Sequence, residues 1–248
     1  MPGRRADVRL IRPIALLVTC EHGGNRIPAR YGEMFRNHQR LLASHRGYDP
    51  GALATARTLA RTLRAPLVTA TVSRLLVELN RSPGRQFRES PVMRRAPAAL
   101  RAEICRRYYD PYWSAVVAFV RDAIAARRRV VHISSHSFTP RLGGSARRAD
   151  VGLLYDPGHA GERELSLRWQ AALRLRAPGW MIRRNYPYRG RSDALTRYLR
   201  ERFDAAAYAG IELEINQRHV RNGGAIAAPQ RAAVALALRD ALRLPGSP

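Results

Sequence analysis

The sequence predicts a three-layer α/β domain, in which helices cover both faces of a largely parallel sheet. Short apolar, strand-like runs alternate along the chain with stretches of helical periodicity, and this alternation is typical of such sheets. The chain has 248 residues, of which 46% are hydrophobic, and it contains no internal repeat or low-complexity linker. This length and composition predict one domain over residues 1–248, with its core at about 12–243.

The first predicted elements follow from hydrophobic patterning and from helix-start signals. The apolar run from Ile14 to Thr19 predicts a buried strand that ends in a polar cluster. Gly51 to Leu63 shows helical spacing, and Asp49-Pro50 before it is typical of a cap residue followed by a first-turn proline. Two further strands are predicted at Leu67 to Val72 and at Leu75 to Leu79.

The second part of the chain continues the alternation. A long helical stretch covers roughly Ala98 to Ala126, and Pro111 is expected to kink or divide it. Gly210 to Asn216 alternates apolar and polar residues, which is the period of a strand. The other predicted elements are strands at Arg129 to Ser134 and Val151 to Tyr155, and helices at Glu162 to Leu175, Asp193 to Phe203 and Ala227 to Leu242.

The formal net charge of +25 is of the kind found in nucleic-acid-binding proteins. All 44 basic residues are arginine, however, and this total absence of lysine indicates a compositional bias rather than selection for phosphate contacts. The arginines are scattered, and no aromatic platform is interleaved with them. We therefore expect a solvated basic surface without a specific nucleic-acid partner, and nucleic-acid binding remains the non-enzymatic alternative.

Cysteine content and hydropathy indicate the cellular compartment in which the protein is expected. Two cysteines, Cys20 and Cys105, provide no disulfide framework and predict a reducing, cytoplasmic environment. No apolar run reaches the roughly 18 residues that a membrane helix needs. The run from Ile14 to Cys20 leads directly into a polar motif, so it is interpreted as a strand and not as a signal peptide.

Polar residues that follow predicted strands are the first candidates for a functional site, because ligands bind beyond the carboxyl ends of parallel strands. His22 follows the first strand and His136 follows the strand that begins at Arg129. Two imidazoles at strand ends are typical of a metal site, which needs a carboxylate as its third ligand. Asp49 is the best candidate for that ligand, and Glu21 and Asn25 are the alternatives.

Two more segments carry polar side chains in a strand-like pattern. A regular strand at residues 73–81 would place Arg74, Glu78 and Asn80 on one face, and the adjacent Arg81 has the planar fork that binds a carboxylate. The alternative for Arg81 is an ion pair with a structural acid. In Gly210 to Asn216, the buried pattern places two carboxylates on one face, and one of them can act as a general base.

Seven motifs in order resemble the N-formylglutamate amidohydrolase family, and together they extend over nearly the whole chain. They are CEHGGNRIP (20–28), RGYDPGA (46–52), SRLLVELNRSP (73–83), HSFTP (136–140), GLLYDP (152–157), NYPYRG (185–190) and LEINQ (213–217). The resemblance implies a zinc-type hydrolase with a carboxypeptidase-like fold, in which helices lie on both faces of a mostly parallel mixed sheet. It also implies a small N-acyl amino acid as substrate. The aspartoacylase group, with an asparagine-arginine pair after a strand, is more distantly similar.

The resemblance also assigns roles to individual residues. The carboxypeptidase-like pattern has a glutamate three residues after its first histidine, where this chain has Asn25, and the third ligand is therefore moved to Asp49. One Zn²⁺ per chain would be held by this residue and the two histidines. The remaining implied roles are general base for Glu214, oxyanion stabiliser for Arg74, and carboxylate binding for Asn80 and Arg81. Asn185 is expected either to line the pocket or to be a turn residue before Tyr186-Pro187.

A thiol hydrolase is the enzymatic alternative. Cys20 and His22 are two residues apart on the first strand, which would place both side chains on one face. However, Cys20 ends an apolar run, and no third group that would orient the histidine is evident.

Overall fold

The structure is a computed structural model that describes residues 13–221 and 224–243. Its strands are β1 (Ile14–Cys20), β2 (Leu67–Thr69), β3 (Arg129–Phe138), β4 (Arg141–Leu142), β5 (Ser145–Ala146), β6 (Val151–Leu154), β7 (Ile182–Arg184) and β8 (Tyr208–Asn216). Its α-helices are α1 (Gln39–Leu42), α2 (Ala52–Leu63), α3 (Ala98–Ile104), α4 (Asp110–Ala125), α5 (Ala160–Arg176), α6 (Leu195–Arg200) and α7 (Ala228–Leu242).

Six strands form one mixed sheet in the order β2-β1-β3-β8-β6-β7. The pairs β2-β1, β1-β3 and β3-β8 are parallel, whereas β6 runs antiparallel to β8 and parallel to β7. This confirms the predicted α/β class with a mostly parallel sheet. Because β1, β3 and β8 run in the same direction, their carboxyl ends lie at one edge of the sheet.

Helices cover both faces of this sheet, as predicted. On one face, Val18 and Val131 belong to a buried cluster that includes Leu59 of α2 and Trp169 of α5. On the other face, Leu17 and Val130 belong to a cluster that includes Trp113 of α4 and Leu195 of α6. Neighbouring residues of β1 thus face opposite layers, as the two-residue period of a strand requires.

The segment from Leu75 to Leu79 is not a strand, and that prediction is wrong. β2 ends at Thr69, and the chain then follows turns in which the backbone N–H of Leu76 donates to the carbonyl of Ser73. The segment's leucines are buried in the cluster around α4. Turns bury these apolar side chains as completely as a strand would, and hydrophobicity alone does not distinguish the two.

Among the elements that differ from the prediction in extent are β3 and the predicted long helix. β3 continues to Phe138, so His136 lies within the strand near its carboxyl end and not after it. The predicted long helix is divided, because a π-helical turn at Cys105–Tyr109 separates α3 from α4. Pro111 lies in the first turn of α4, where its missing N–H is tolerated. Within the two described ranges, no helix is long and apolar enough to cross a membrane.

Candidate active site

Three buried side chains converge at the carboxyl edge of the sheet. His22 lies two residues beyond β1, His136 lies on β3, and Asp49 lies just before α2. Their candidate ligand atoms all lie within 4.8 Å of one another. The Oδ2 atom of Asp49 is 2.8 Å from Nδ1 of His136 and 3.3 Å from Nδ1 of His22. Both imidazoles therefore direct the same ring nitrogen toward one carboxylate oxygen.

Asp49 does not cap α2, contrary to the sequence interpretation. The residue at the helix N-cap is Gly51, whose φ of 84° lies in the left-handed region, and no side chain accepts a hydrogen bond there. The backbone N–H of Asp49 instead donates to the carbonyl of His22 over 3.0 Å. This backbone contact holds the carboxylate against the histidines, so the side chain belongs to the site and not to the helix end.

The far nitrogen of each imidazole meets a second carboxylate. Nε2 of His22 contacts Oε1 of Glu78, and Nε2 of His136 is 3.3 Å from Oε2 of Glu21 and 2.8 Å from the hydroxyl of Ser134. Such outer contacts fix the ring orientation of metal-binding histidines and make them better ligands. Glu21, an alternative third ligand in the sequence, thus lies behind His136 and outside the group of three.

Asp49 and Glu21 stay ionised despite their burial. Burial opposes ionisation of Asp49, but His22, His136 and Arg74 hold its pKa well below its usual range. Glu21 behaves in the same way, because its contacts with His136 outweigh burial and lower its pKa to about 2. Two imidazole nitrogens and an ionised carboxylate oxygen, all buried, form a donor set that suits a divalent cation and zinc in particular.

Glu214 is the unpaired acid of the site. It lies opposite His136 in the β3-β8 register, and its Oε2 atom is buried without a hydrogen-bond partner among the described residues. Burial raises its pKa to about 8, against the opposing effect of His136, and the nearby Asp49 and Glu212 add to the rise. Glu212, by contrast, accepts a hydrogen bond from the Thr196 hydroxyl over 2.6 Å.

Arg74 and Arg81 differ in what they contact. Arg74 donates from Nε to Oε2 of Glu78 over 2.8 Å and from Nη1 to Oδ1 of Asp49 over 3.3 Å, so its guanidinium lies against the group of three. Arg81 donates from Nη1 only to the carbonyls of Asn80 and Asp193. Across the described part of the chain, Arg81 makes no ion pair with a carboxylate. The alternative role of Arg81, an ion pair with a structural acid, is therefore not observed among these residues.

Asn80 links these groups. Its Nδ2 is 3.3 Å from Nε2 of His136, and its Oδ1 accepts the backbone N–H of Leu195 over 2.9 Å. The side chain therefore joins the histidine to the start of α6.

A cavity of about 380 Å³ opens over the group of three. Seven of the eight residues proposed from the sequence line it, namely His22, Asp49, Arg74, Asn80, Arg81, His136 and Glu214. The alternative ligand Asn25 is exposed and is not among the lining residues. The structure thus brings together residues from five separate segments of the chain.

Asn185 is the predicted site residue that the structure does not bring into the cavity. Its Oδ1 accepts the backbone N–H groups of Tyr155 and Gly190, each over 3.1 Å, and its own φ is 50°. These contacts shape the turn at residues 185–190, which carries Tyr188 and Arg189 to the cavity wall. The sequence analysis did not predict that Glu78 and Glu21 contact the histidines. The signal in the sequence was an acidic residue within or next to an apolar run.

Cys20 has the wrong environment for a nucleophile. The side chain is fully buried in the sheet core with Ala56 and Leu59. Burial and the neighbouring carboxylates Glu21 and Asp49 raise the pKa of its thiol well above the ordinary value. Because the thiolate is the reactive form, these surroundings argue against the thiol-hydrolase alternative.

A buried histidine beneath the site makes folding stability depend on pH. His132 lies between the hydroxyls of Thr19 and Tyr208, each 2.8 Å away, and burial lowers its pKa to about 4. In the unfolded chain a histidine has a pKa of about 6.5. As the pH falls below that value the unfolded state takes up a proton first, so the native state loses stability until about pH 4.

We expect His132 to account for a loss of roughly 2 kcal/mol in the free energy of unfolding between pH 6.5 and about pH 5. His132→Gln keeps a hydrogen-bonding side chain that does not titrate, so it should remove most of this dependence. Urea unfolding of both proteins across this interval measures the difference. Equal pH dependence in the two proteins would contradict the assignment.

The chain is similar to known proteins in sequence and in overall fold. The family model of N-formylglutamate amidohydrolase matches residues 14–220. The chain is similar to the crystal structure of a gene product from Agrobacterium tumefaciens, with a TM-score of 0.74 and 28% identity over 91% of this chain and 88% of that one. It is also similar to N-formylglutamate amidohydrolase from Ralstonia eutropha, with a TM-score of 0.67 and 25% identity over 93% and 95% of the two chains. Among curated proteins, none matches this chain.

Proposed function

The chain belongs to the N-formylglutamate amidohydrolase family, and from this premise we propose that it hydrolyses the amide bond of a small N-acyl amino acid with the help of one divalent metal ion. The family establishes a hydrolase of amide bonds. One observation supports the proposed metal-dependent mechanism. His22, Asp49 and His136 converge in a buried site beside an unpaired acid, Glu214. The nucleic-acid alternative does not account for a buried set of histidines and carboxylates.

The metal would be held by Nδ1 of His22, Nδ1 of His136 and an oxygen of Asp49. These three residues fit a zinc ion, because two neutral imidazoles and a carboxylate are a common catalytic zinc set that leaves a position open. A divalent ion bound there supplies a Lewis acid, which lowers the pKa of water to about 7 and polarises a carbonyl. Glu78 and Glu21 hold the two imidazoles in the orientation that this requires.

Glu214 is proposed to move the proton. Its carboxylate takes a proton from water as the water oxygen attacks the amide carbon, and then passes it to the amine nitrogen as the C–N bond breaks. Its Oε2 atom is free of other hydrogen bonds, so the carboxyl group is available for both transfers. A pKa raised toward 8 matches the role, because a base works best with a pKa near the working pH.

Arg74 is proposed to stabilise the negative charge that develops on the carbonyl oxygen. Its ion pairs with Glu78 and Asp49 fix the guanidinium at the cavity wall before substrate binds. Donors that are fixed in advance lose little energy to reorganisation, and one such donor is commonly worth about 3 kcal/mol in the transition state.

Arg81 and Asn80 are proposed to bind the carboxylate of the amino acid that is released. The two backbone carbonyls that accept from Nη1 of Arg81 hold its fork in place. The Nε and Nη2 atoms of Arg81 have no acceptor among the described residues, so a substrate carboxylate can accept from both.

Arg81→Ala should therefore weaken binding of N-formylglutamate and related N-acyl amino acids. We expect KM to rise roughly 10-fold to 100-fold, the worth of a charge-assisted hydrogen bond, with a smaller change in kcat. Steady-state release of the free amino acid measures both constants for the wild type and the variant.

A substrate in which every carboxylate is replaced by a neutral amide provides the control. The wild type and Arg81→Ala should cleave this neutral substrate with similar kcat/KM, because no charge is left to pair. An equal loss on both substrates would show that Arg81 acts through the fold. Complete inactivity of the wild type on N-acyl amino acids would remove the proposed function.

A further inference from the structure

The cavity has an apolar edge that the proposed reaction does not use. Among the described residues, five large hydrophobic side chains are exposed, and two of them, Leu142 at 45% and Tyr188 at 43%, line the cavity. Phe138 lines it as well and is buried. We call these three side chains the apolar rim. Apolar side chains that line a cavity beside a few polar groups are typical of ligand contacts.

The hairpin that carries Leu142 is built to project over the site. β4 and β5 are joined by Gly143 and Gly144, whose φ values of 55° and 80° allow a two-residue turn. A Cβ atom on either glycine would meet nothing within 4 Å, so the turn reaches into open space. The hairpin follows directly on the strand that carries His136, and this places Leu142 at the mouth of the cavity.

Two of the three side chains of the rim, Tyr188 and Phe138, are held in place before any ligand arrives. Arg147, just after β5, donates from Nη1 to the Tyr188 hydroxyl over 3.0 Å, and its guanidinium lies 5.0 Å from the centre of that ring. The ring of Phe138 meets the ring of Tyr186 edge-on at 6.2 Å. Asn185 fixes the two ends of the same turn. A preformed apolar wall binds an apolar group without the entropy loss of ordering it.

We infer that the apolar rim binds the acyl portion of the substrate, and that this acyl group is larger than formyl and has an apolar body, as an alkanoyl chain does. The inference rests on the proposed function, in which Arg81 holds the amino-acid end of the substrate. A cavity of about 380 Å³ lies in the range that encloses ligands of drug size, whereas a formyl group ends at the carbonyl carbon and has no apolar body for the rim to contact.

A series of glutamate derivatives tests the inference. N-acetyl- and N-hexanoyl-glutamate have carbonyls of similar reactivity and differ in chain length, so their kcat/KM ratio reports the contact with the rim. Each buried methylene favours binding by about fourfold. We expect the wild type to prefer the hexanoyl compound by roughly 10-fold or more, even if only part of the chain is buried. Equal or better cleavage of the acetyl compound would overturn the inference.

Two leucine-to-serine variants test whether Leu142 causes the preference for the longer acyl chain. Leu142→Ser should lower the hexanoyl-to-acetyl ratio by roughly 10-fold, because it replaces an apolar contact of the chain with a hydroxyl. Leu167→Ser is the matched control, since Leu167 is also 45% exposed but lies on α5 outside the cavity, and it should keep the wild-type ratio. An unchanged ratio in Leu142→Ser would also overturn the inference.

N-formylglutamate separates this inference from the function on which it rests. Cleavage of N-formylglutamate without a preference for the hexanoyl compound would overturn the inference and leave the amidohydrolase proposal standing. Failure to cleave any of the three compounds would overturn both.

Discussion

Glu214→Gln is expected to lower kcat by roughly 100-fold or more, because general base catalysis is typically worth a factor of about 10² to 10⁴. Gln has nearly the same shape as Glu but cannot accept a proton from water at neutral pH. The Oε2 atom of Glu214 has no hydrogen-bond partner among the described residues, so the change breaks no existing contact. The variant should thus fold, bind metal and bind substrate as the wild type does.

The neighbouring Glu212 provides the control for Glu214. Both acids lie on β8 and line the cavity, but Glu212 already accepts a hydrogen bond from Thr196. We expect Glu212→Gln to affect the free energy of unfolding more than turnover. Rapid-quench or steady-state kinetics, with metal content measured in parallel, distinguish the two variants. Near-wild-type turnover of Glu214→Gln on a substrate that the parent cleaves would disprove the proposed mechanism.

Removal of any of the three proposed ligands is expected to remove both metal and activity. The purified protein should contain about one divalent ion per chain, and His22→Ala or His136→Ala should reduce both metal content and kcat/KM by a large factor. A loss of roughly 1000-fold or more is expected, since the Lewis acid supplies several kcal/mol of transition-state stabilisation. Elemental analysis of the dialysed proteins measures the metal directly.

Asp49 and Asn25 form a matched pair for the third ligand. Asp49→Asn keeps the size of the side chain and should give a folded protein that lacks metal, because the anionic oxygen shared by both imidazoles is lost. Asn25→Ala changes an exposed residue outside the cavity and should retain metal. The reverse result would return the ligand role to Asn25, and full metal occupancy in a double histidine variant would place the ion elsewhere.

Local patterns are sufficient for the central strands of the sheet and for two of the three proposed ligands. Apolar runs at the positions of β1 and β3 predict buried parallel strands, and parallel strands place the polar residues at their carboxyl ends together. The pattern alone therefore predicts that His22 and His136 lie near one another. Glu214 is accessible to the same reasoning, because two carboxylates in an alternating buried strand are costly unless they are used.

Only the tertiary structure decided the roles that depend on contacts between distant segments. Asp49 has the sequence context of a helix cap, yet its carboxylate meets His22 and His136, which are 27 and 87 residues away. Residues 75–79 have the hydrophobicity of a strand but lie in turns, which allows Glu78 to reach both His22 and Arg74.

Asn185 is another residue whose role local patterns do not predict. Its motif predicts a pocket residue, but its side chain is taken up by two backbone N–H groups that only the folded chain brings within reach. Periodicity reports which residues are buried, because burial follows from the solvent preference of each side chain. It does not report which partner a buried polar group finds, since that partner is fixed by the packing of segments far apart in the sequence.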